Sequence, residues 1–379
     1  MKIYQTDLLE NTYILDEATS LHQAKFLDTS TFKTIENQLE TLKRSRNLLI
    51  RLWFFILGCL MFASAFGFFS LFAIDNQFAL KIMLFFYTII GFFATEMYKK
   101  TNVFGNGLDD ALVFCSLMVS MVFFEMVFFT NFIYETTAFL LTLSVLSWVC
   151  YFRYLHGYLI LASLISIVGA LMQINSPYLC FIVMLFGILL FFIYYKIKLK
   201  NKYIYYKNGL NITKFCALII FYLAGNYGII REYSNEQGIL PDNTEIPLAW
   251  FFNCFMFIVP IIYLYASIKF KDRMLLWLGI GLFAGSIITF RTYHHVLPTT
   301  LALTLGGLIL LALSMYIIKK FKNSQTGLSF MPDPFQGNAL QKKMETLTTL
   351  ATNSIETTST SPMEFGGGGF SGGGSGSNF

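Results

Sequence analysis

About ten stretches, each apolar enough to cross a bilayer, follow one another between residues 48 and 318. A spanning helix needs roughly 20 mainly apolar residues. Inside lipid no water is present to satisfy backbone N–H and C=O groups, so segments of this kind fold as helices that bond internally. The expected fold class is therefore all-α, a polytopic transmembrane helix bundle of about ten spans. Composition agrees where it can be compared. Only 13% of the 379 residues are charged, against about 25% in a soluble domain. The formal charge of +5 does not suggest nucleic acid as a partner, because the basic residues flank apolar segments in the positive-inside pattern.

The loops are phased by one segment, Lys196 to Lys214 (KIKLKNKYIYYKNGLNITK), which holds six lysines and no acid. It reads as the largest cytoplasmic loop. Spans are expected at about 48–74, 78–98, 110–131, 134–152, 157–175, 177–196, 213–231, 247–269, 273–292 and 298–318. The Arg51 flank, Lys99-Lys100, Arg153, Lys269 to Arg273 and Lys319-Lys320-Lys322 then share the cytoplasmic side with the lysine loop. Asp75, the Thr130 to Glu135 turn, the Gln173 to Pro177 turn, the acidic 232–246 loop and Arg291 to Pro298 fall outside. Both termini are placed in the cytoplasm. Asn175-Ser176-Pro177 reads as a tight turn; as a kink it would leave nine spans. The first long apolar run begins near Leu48, so no cleavable signal peptide is expected.

Three regions result: a cytoplasmic helical hairpin over 1–47, a transmembrane domain over 48–320, and a cytoplasmic tail over 321–379. The hairpin is expected as one helix over Thr12 to Phe26, a break at Leu27 to Ser30, and a second helix carrying Phe32, Ile35, Leu39 and Leu42 at helical spacing. Glu40 and Arg44 stand at i,i+4. Packing beneath the membrane domain is favoured over partner binding for this hairpin. A short helix is expected over Asn338 to Asn353. The tail ends in FGGGGFSGGGSGSNF, a Gly/Ser tract that cannot bury enough surface to fold.

Ionisable groups inside spans are costly and are functional candidates. Glu96 lies one turn before Lys99-Lys100 and is expected to snorkel. Glu125 sits in apolar company, Phe123-Phe124-Glu125-Met126-Val127, and must be paired, protonated or wet. With Gln173, Asn226, Asn253, Arg291 and His294 it forms a candidate outward-facing polar pocket, in which the Arg291 fork would suit a carboxylate or phosphate. Interhelical hydrogen bonding is the competing, structural role for these residues. His294 and His295 point about 100° apart on a helix and do not make a metal site alone.

Asp109-Asp110, after Gly105-Asn106-Gly107, are read as helix N-terminal acids favoured by the dipole rather than as cation ligands. The six cysteines lie in apolar runs with no C-x-x-C, so no disulfide or metal site is expected. No cofactor is implied, and no hydrolase, zinc, Walker or dinucleotide signature is present. No matched Gly/Pro-broken segments suggest an inverted repeat. Gly281 to Gly285 and Gly306-Gly307 read as close-packing positions.

The order of parts, LHQAKFLDTSTFKTIENQLETLKRSRNLLIRLWFFILGCLM followed by a Phe-rich multi-span domain, resembles a broad group of bacterial, Bacteroidetes-type membrane proteins with no assigned function. That group often carries a Trp and a Gly-Leu/Ile-Ile turn where His22 and Phe26-Leu27 stand here. The glycine tail is similar to the ends of some bacterial envelope proteins. The resemblance implies a multi-pass protein of the bacterial inner membrane and supplies no catalytic residue. The expectation is an envelope scaffold or accessory component with no recognisable catalytic motif, with the bilayer as partner and residues 1–47 or the tail as the candidate contact for an envelope protein. The alternative is a transporter or receptor for a small anionic solute or lipid headgroup.

Overall fold

The computed structural model describes residues 4–44, 47–73, 76–129, 134–174, 176, 178–199, 206–238, 246–270, 272–294 and scattered positions between 304 and 319. The described residues form twelve helices and no strand. They are α1 (Thr6–Gln23), α2 (Thr29–Gln38), α3 (Leu48–Ser70), α4 (Gln77–Lys99), α5 (Leu108–Phe124, continued by a π turn Glu125–Phe129), α6 (Glu135–Tyr154), α7 (Gly157–Met172), α8 (Leu179–Lys198), α9 (Lys207–Ala224), α10 (Tyr227–Glu236), α11 (Ala249–Phe270) and α12 (Arg273–His294).

Seven of these, α3, α4, α5 with its π turn, α6, α8, α11 and α12, are long and apolar enough to cross a bilayer. The pair α9–α10 qualifies only jointly and is bent by 68° at its break. Helix α7 has 16 residues, about 24 Å at 1.5 Å per residue, short of a hydrocarbon core of about 30 Å. The structure is thus an all-α, multi-span bundle. The expected tenth span falls for the most part outside the described residues, and the Asn338 to Asn353 helix and the glycine tail lie wholly outside them. Large apolar side chains face outward along the helices, with Trp53, Phe72 and Trp277 each more than 70% exposed, as a lipid-facing belt requires.

Consecutive helices pair as α4 with α5, α6 with α7, α8 with α9 and α11 with α12. Short polar caps set the starts. Asn47 accepts from Leu49 N–H at α3, Asn76 from Phe78 N–H at α4, and Asp272 from Met274 and Leu275 N–H at α12. These bonds occupy N–H groups that have no partner inside the helix. Pairing in this way gathers the basic helix ends onto one face, the lysine-rich end. There Lys214 of α9 also pairs with Asp272 of the α11–α12 link.

The N-terminal segment docks on that end. Leu8 and Leu9 of α1 pack with Tyr4, Leu42 and Leu155 as a small apolar core. The second helix stops at Gln38, earlier than its apolar spacing suggests, because residues 39–44 are drawn out along the α4–α5 link. Lys43 N–H donates to Asn102 O and Phe104 N–H to Lys43 O. Leu42, expected on a helical stripe, is instead buried from an extended strand-like stretch. The expected Glu40–Arg44 pair is absent for the same reason. Arg44 reaches Asp16 at 3.1 Å, and the Glu40 carbonyl accepts from Asn11.

Candidate functional site

The densest polar cluster lies where α3, α4 and α5 meet the α6–α7 link beneath the N-terminal segment. Its centre is Lys99, the last residue of α4, whose side chain is fully buried. An ammonium has three N–H donors and no acceptor, and here three partners meet it. Tyr4 Oη lies at 2.6 Å, Asp109 Oδ2 at 3.1 Å and His156 Nε2 at 2.6 Å.

Each partner is fixed in turn. Asp109 accepts from the Gly105 N–H at 2.8 Å, Asn106 N–H at 2.9 Å and Gly107 N–H at 3.1 Å. The two glycines supply the positive φ that turns three consecutive amides onto one carboxylate. His156 sits between α6 and α7, and its Nδ1 lies 2.8 Å from Asp110 Oδ1. Since Nε2 faces a donor, the proton belongs on Nδ1, and the ring is neutral. Phe104 and Tyr158 stack on its two faces at 5.5 and 5.6 Å.

Asp110 also takes Nε and Nη2 of Arg51 from α3, at 2.8 and 2.6 Å. One turn back on α4, Glu96 does not snorkel freely. Arg153 of α6 grips both its oxygens at 2.7 Å, and Tyr154 donates at 3.1 Å. Three cations (Arg51, Lys99, Arg153) thus face three carboxylates (Glu96, Asp109, Asp110). Such a set is tolerable at a buried and half-buried site because it is neutral overall and most of its polar atoms are hydrogen-bonded.

Asp109, Asp110 and His156 offer ligand atoms within 4.8 Å of one another, which on spacing alone is a cation site. The donor set does not fit a metal ion. The Lys99 ammonium already occupies the cation's place between Asp109 and His156. The Asp109 oxygens are committed to three amides. The acids therefore serve neither as metal ligands nor as dipole acids only; they brace helices.

Burial and the neighbouring Lys99 charge hold the His156 pKa below its usual 6.5, with Asp110 and Asp109 opposing. Tyr4, buried against Asp109 and Asp110, is pushed above the usual phenol range. A depressed histidine carries a definite sign. The unfolded chain takes up a proton near pH 6.5 and the folded site does not, so this contribution is whole above that pH and is lost as pH falls below it. The melting temperature of the detergent-solubilised protein is expected to drop from pH 6.5 to 5, and less steeply in His156→Gln. Equal slopes would exclude His156 as the source. The titratable groups facing the ring are Lys99, Asp109, Asp110 and Tyr158.

The six pocket candidates lie at the opposite end and do not gather on one point. Asn253 and His294 meet at 3.1 Å. Asn226 is buried, caps α10 through Gly228 N–H, and donates to Tyr222 Oη at 3.1 Å. Tyr222 in turn meets Ser286 at 2.8 Å. Glu125, on the π turn, and Gln173, at the end of α7, are exposed. Arg291 is half-buried near the end of α12. A cavity of about 430 Å³ with both polar and apolar lining does open at this end, and of the six only Asn226 lines it. His295 lies outside the described residues.

The cluster around Lys99 is not legible in the sequence because each member has a bland local explanation. The available signal was VFGNGLDD, two positive-φ glycines just before paired acids, together with a single histidine between two apolar runs.

No family model, no curated protein and no solved structure matches this chain.

Proposed function

We propose that this chain is a ten-span protein of a bacterial inner membrane with both ends cytoplasmic, working as a non-catalytic scaffold that presents its N-terminal helices on a fixed base. The observation that carries the reading is Lys99, whose three donor positions join α4, α5, the α6–α7 link and the N-terminal segment at one buried point. With Arg51–Asp110 and Arg153–Glu96, the basic ends of α3, α4, α5 and α6 are cross-braced. A carrier needs helices that rock around a central site, and this bracing opposes such movement. An enzyme needs a reactive group presented to a cleft, whereas Lys99 and His156 are sealed and engaged. The concentration of lysine and arginine in alternate loops supports the orientation.

The test is a distance measurement. Spin labels at Ser30 and Lys207, in a variant with the six cysteines replaced, are expected to give one narrow distance in lipid discs. That distance should not change with pH between 6.5 and 8 or with sodium. Two populations that exchange weight under these conditions would refute the scaffold in favour of a carrier.

A further inference from the structure

We infer that the end opposite the lysine-rich face binds a single membrane lipid, its acyl chain in an apolar chamber and its amine-bearing headgroup at an acidic mouth.

The chamber arises from the break in the seventh apolar run. Helix α9 ends against Phe255, where a Cβ on Gly225 would lie 2.1 Å from the ring. Asn226 then caps a new helix, so α10 leaves at 68°. Helix α10 is amphipathic, with Ile230 buried and Glu232 and Glu236 exposed, the pattern of a segment lying at an interface. Beneath it is a cavity of about 440 Å³ walled by Val183, Ile220, Leu223, Ala224, Ile246 and Phe252 among others. Among the described residues no charged side chain lines it. The volume lies within the roughly 300–1,000 Å³ of ligand pockets. A cavity of this character does not hold ordered water well, for want of polar partners, while a hydrocarbon chain fits it.

The second cavity at this end adjoins the chamber, for Met172, Ile229 and Tyr233 line both. It carries Glu232 and Glu236 with Asn226, Thr289, Thr292 and Tyr293, and among the described residues no cation lines it. The Arg231 guanidinium is not part of this lining; it lies beside the mouth, over the Tyr293 ring, and donates to Tyr227 Oη. Tyr293 donates to Glu232 Oε1. Carboxylates are acceptors only, so the complementary headgroup is a donor of positive charge. An apolar slot that continues into an acidic mouth has the shape and polarity of a lipid whose head bears an amine. This chemistry is opposite in sign to the anionic solute expected from Arg291.

The probes are lysophosphatidylethanolamine and lysophosphatidylglycerol, which share a phosphate and differ in the amine. Binding to the full-length detergent-solubilised protein is read by native mass spectrometry. One ethanolamine lysolipid is expected to bind, more tightly than the glycerol one. Glu232→Gln with Glu236→Gln should weaken the ethanolamine lipid about three- to fivefold, the scale of partly exposed charge pairs, and leave the glycerol lipid unchanged. Ala224→Leu, which fills the chamber from its wall, should lower retention of both, with the melting temperature held as the folding control. The two exposed glutamates keep the test open if that variant fails to fold. Equal wild-type affinity for the two lysolipids, or full retention by a folded Ala224→Leu, would overturn the inference.

Discussion

Lys99→Met is expected to destabilise the protein by about 3–5 kcal/mol, the range for removing one partner of a buried ion pair. Methionine roughly fills the volume but donates nothing. Asp109 would keep its three amides and lose its counter-charge. His156 Nε2 and Tyr4 Oη would lose their partner in a buried site. Since Lys99 also tethers the N-terminal segment, the loss should be local as well as global. Amide exchange over residues 4–24 should rise before the transmembrane helices respond, and protease should cut the α1–α2 region faster. Lys100→Met, one residue on and exposed, is the control and should change neither. A Lys99→Met protein with wild-type melting temperature and unchanged N-terminal protection would show that the ammonium does not hold the end together. Lys99→Met combined with Asp109→Asn removes both charges and should recover part of the loss, because an uncompensated carboxylate is the larger cost.

How far the sequence reveals this molecule follows from the range of the forces involved. Apolar length is a local property, and nine of the ten expected windows fall on described helices. Polar placement is not local. Lys99 and Asp109 are ten residues apart, but His156 and Tyr4 are 57 and 95 away from Lys99. No spacing rule joins such residues. Each has a ready neighbour-level reading: snorkelling for Glu96, dipole for Asp109, a loop position for His156. The bent pair α9–α10 was read as one span over 213–231 because hydropathy does not register direction. Gly225-Asn226 in its middle was the visible sign, a permissive residue followed by a strong N-cap. Sequence position sets the depth of Glu125, Gln173, Asn226, Asn253, Arg291 and His294 along their helices, but depth says nothing of azimuth. Only Asn253 and His294 face each other directly.

Gly107→Ala is expected to cost about 3 kcal/mol or more, combining conformational strain with a collision against main chain. Gly107 has φ +98 and ψ −47, outside the regions open to L residues. A Cβ there would lie 2.0 Å from Arg51 O and 3.0 Å from Phe55 N. Those atoms belong to the backbone of α3, which cannot swing aside as a side chain can. To admit the methyl group, α3 must move off α5, and Arg51 then retreats from Asp110. The Gly107 amide would also turn off Asp109. Gly105→Ala separates the two causes. Gly105 has φ +71, but its nearest neighbour is the Arg51 guanidinium at 3.6 Å, so only strain of about 1–2 kcal/mol applies. Melting temperatures of the two variants in one detergent should therefore differ clearly, with Gly107→Ala the lower. Equal shifts would mean that the α3–α5 contact yields without cost, and the cross-brace at the lysine-rich end would then be looser than its geometry implies.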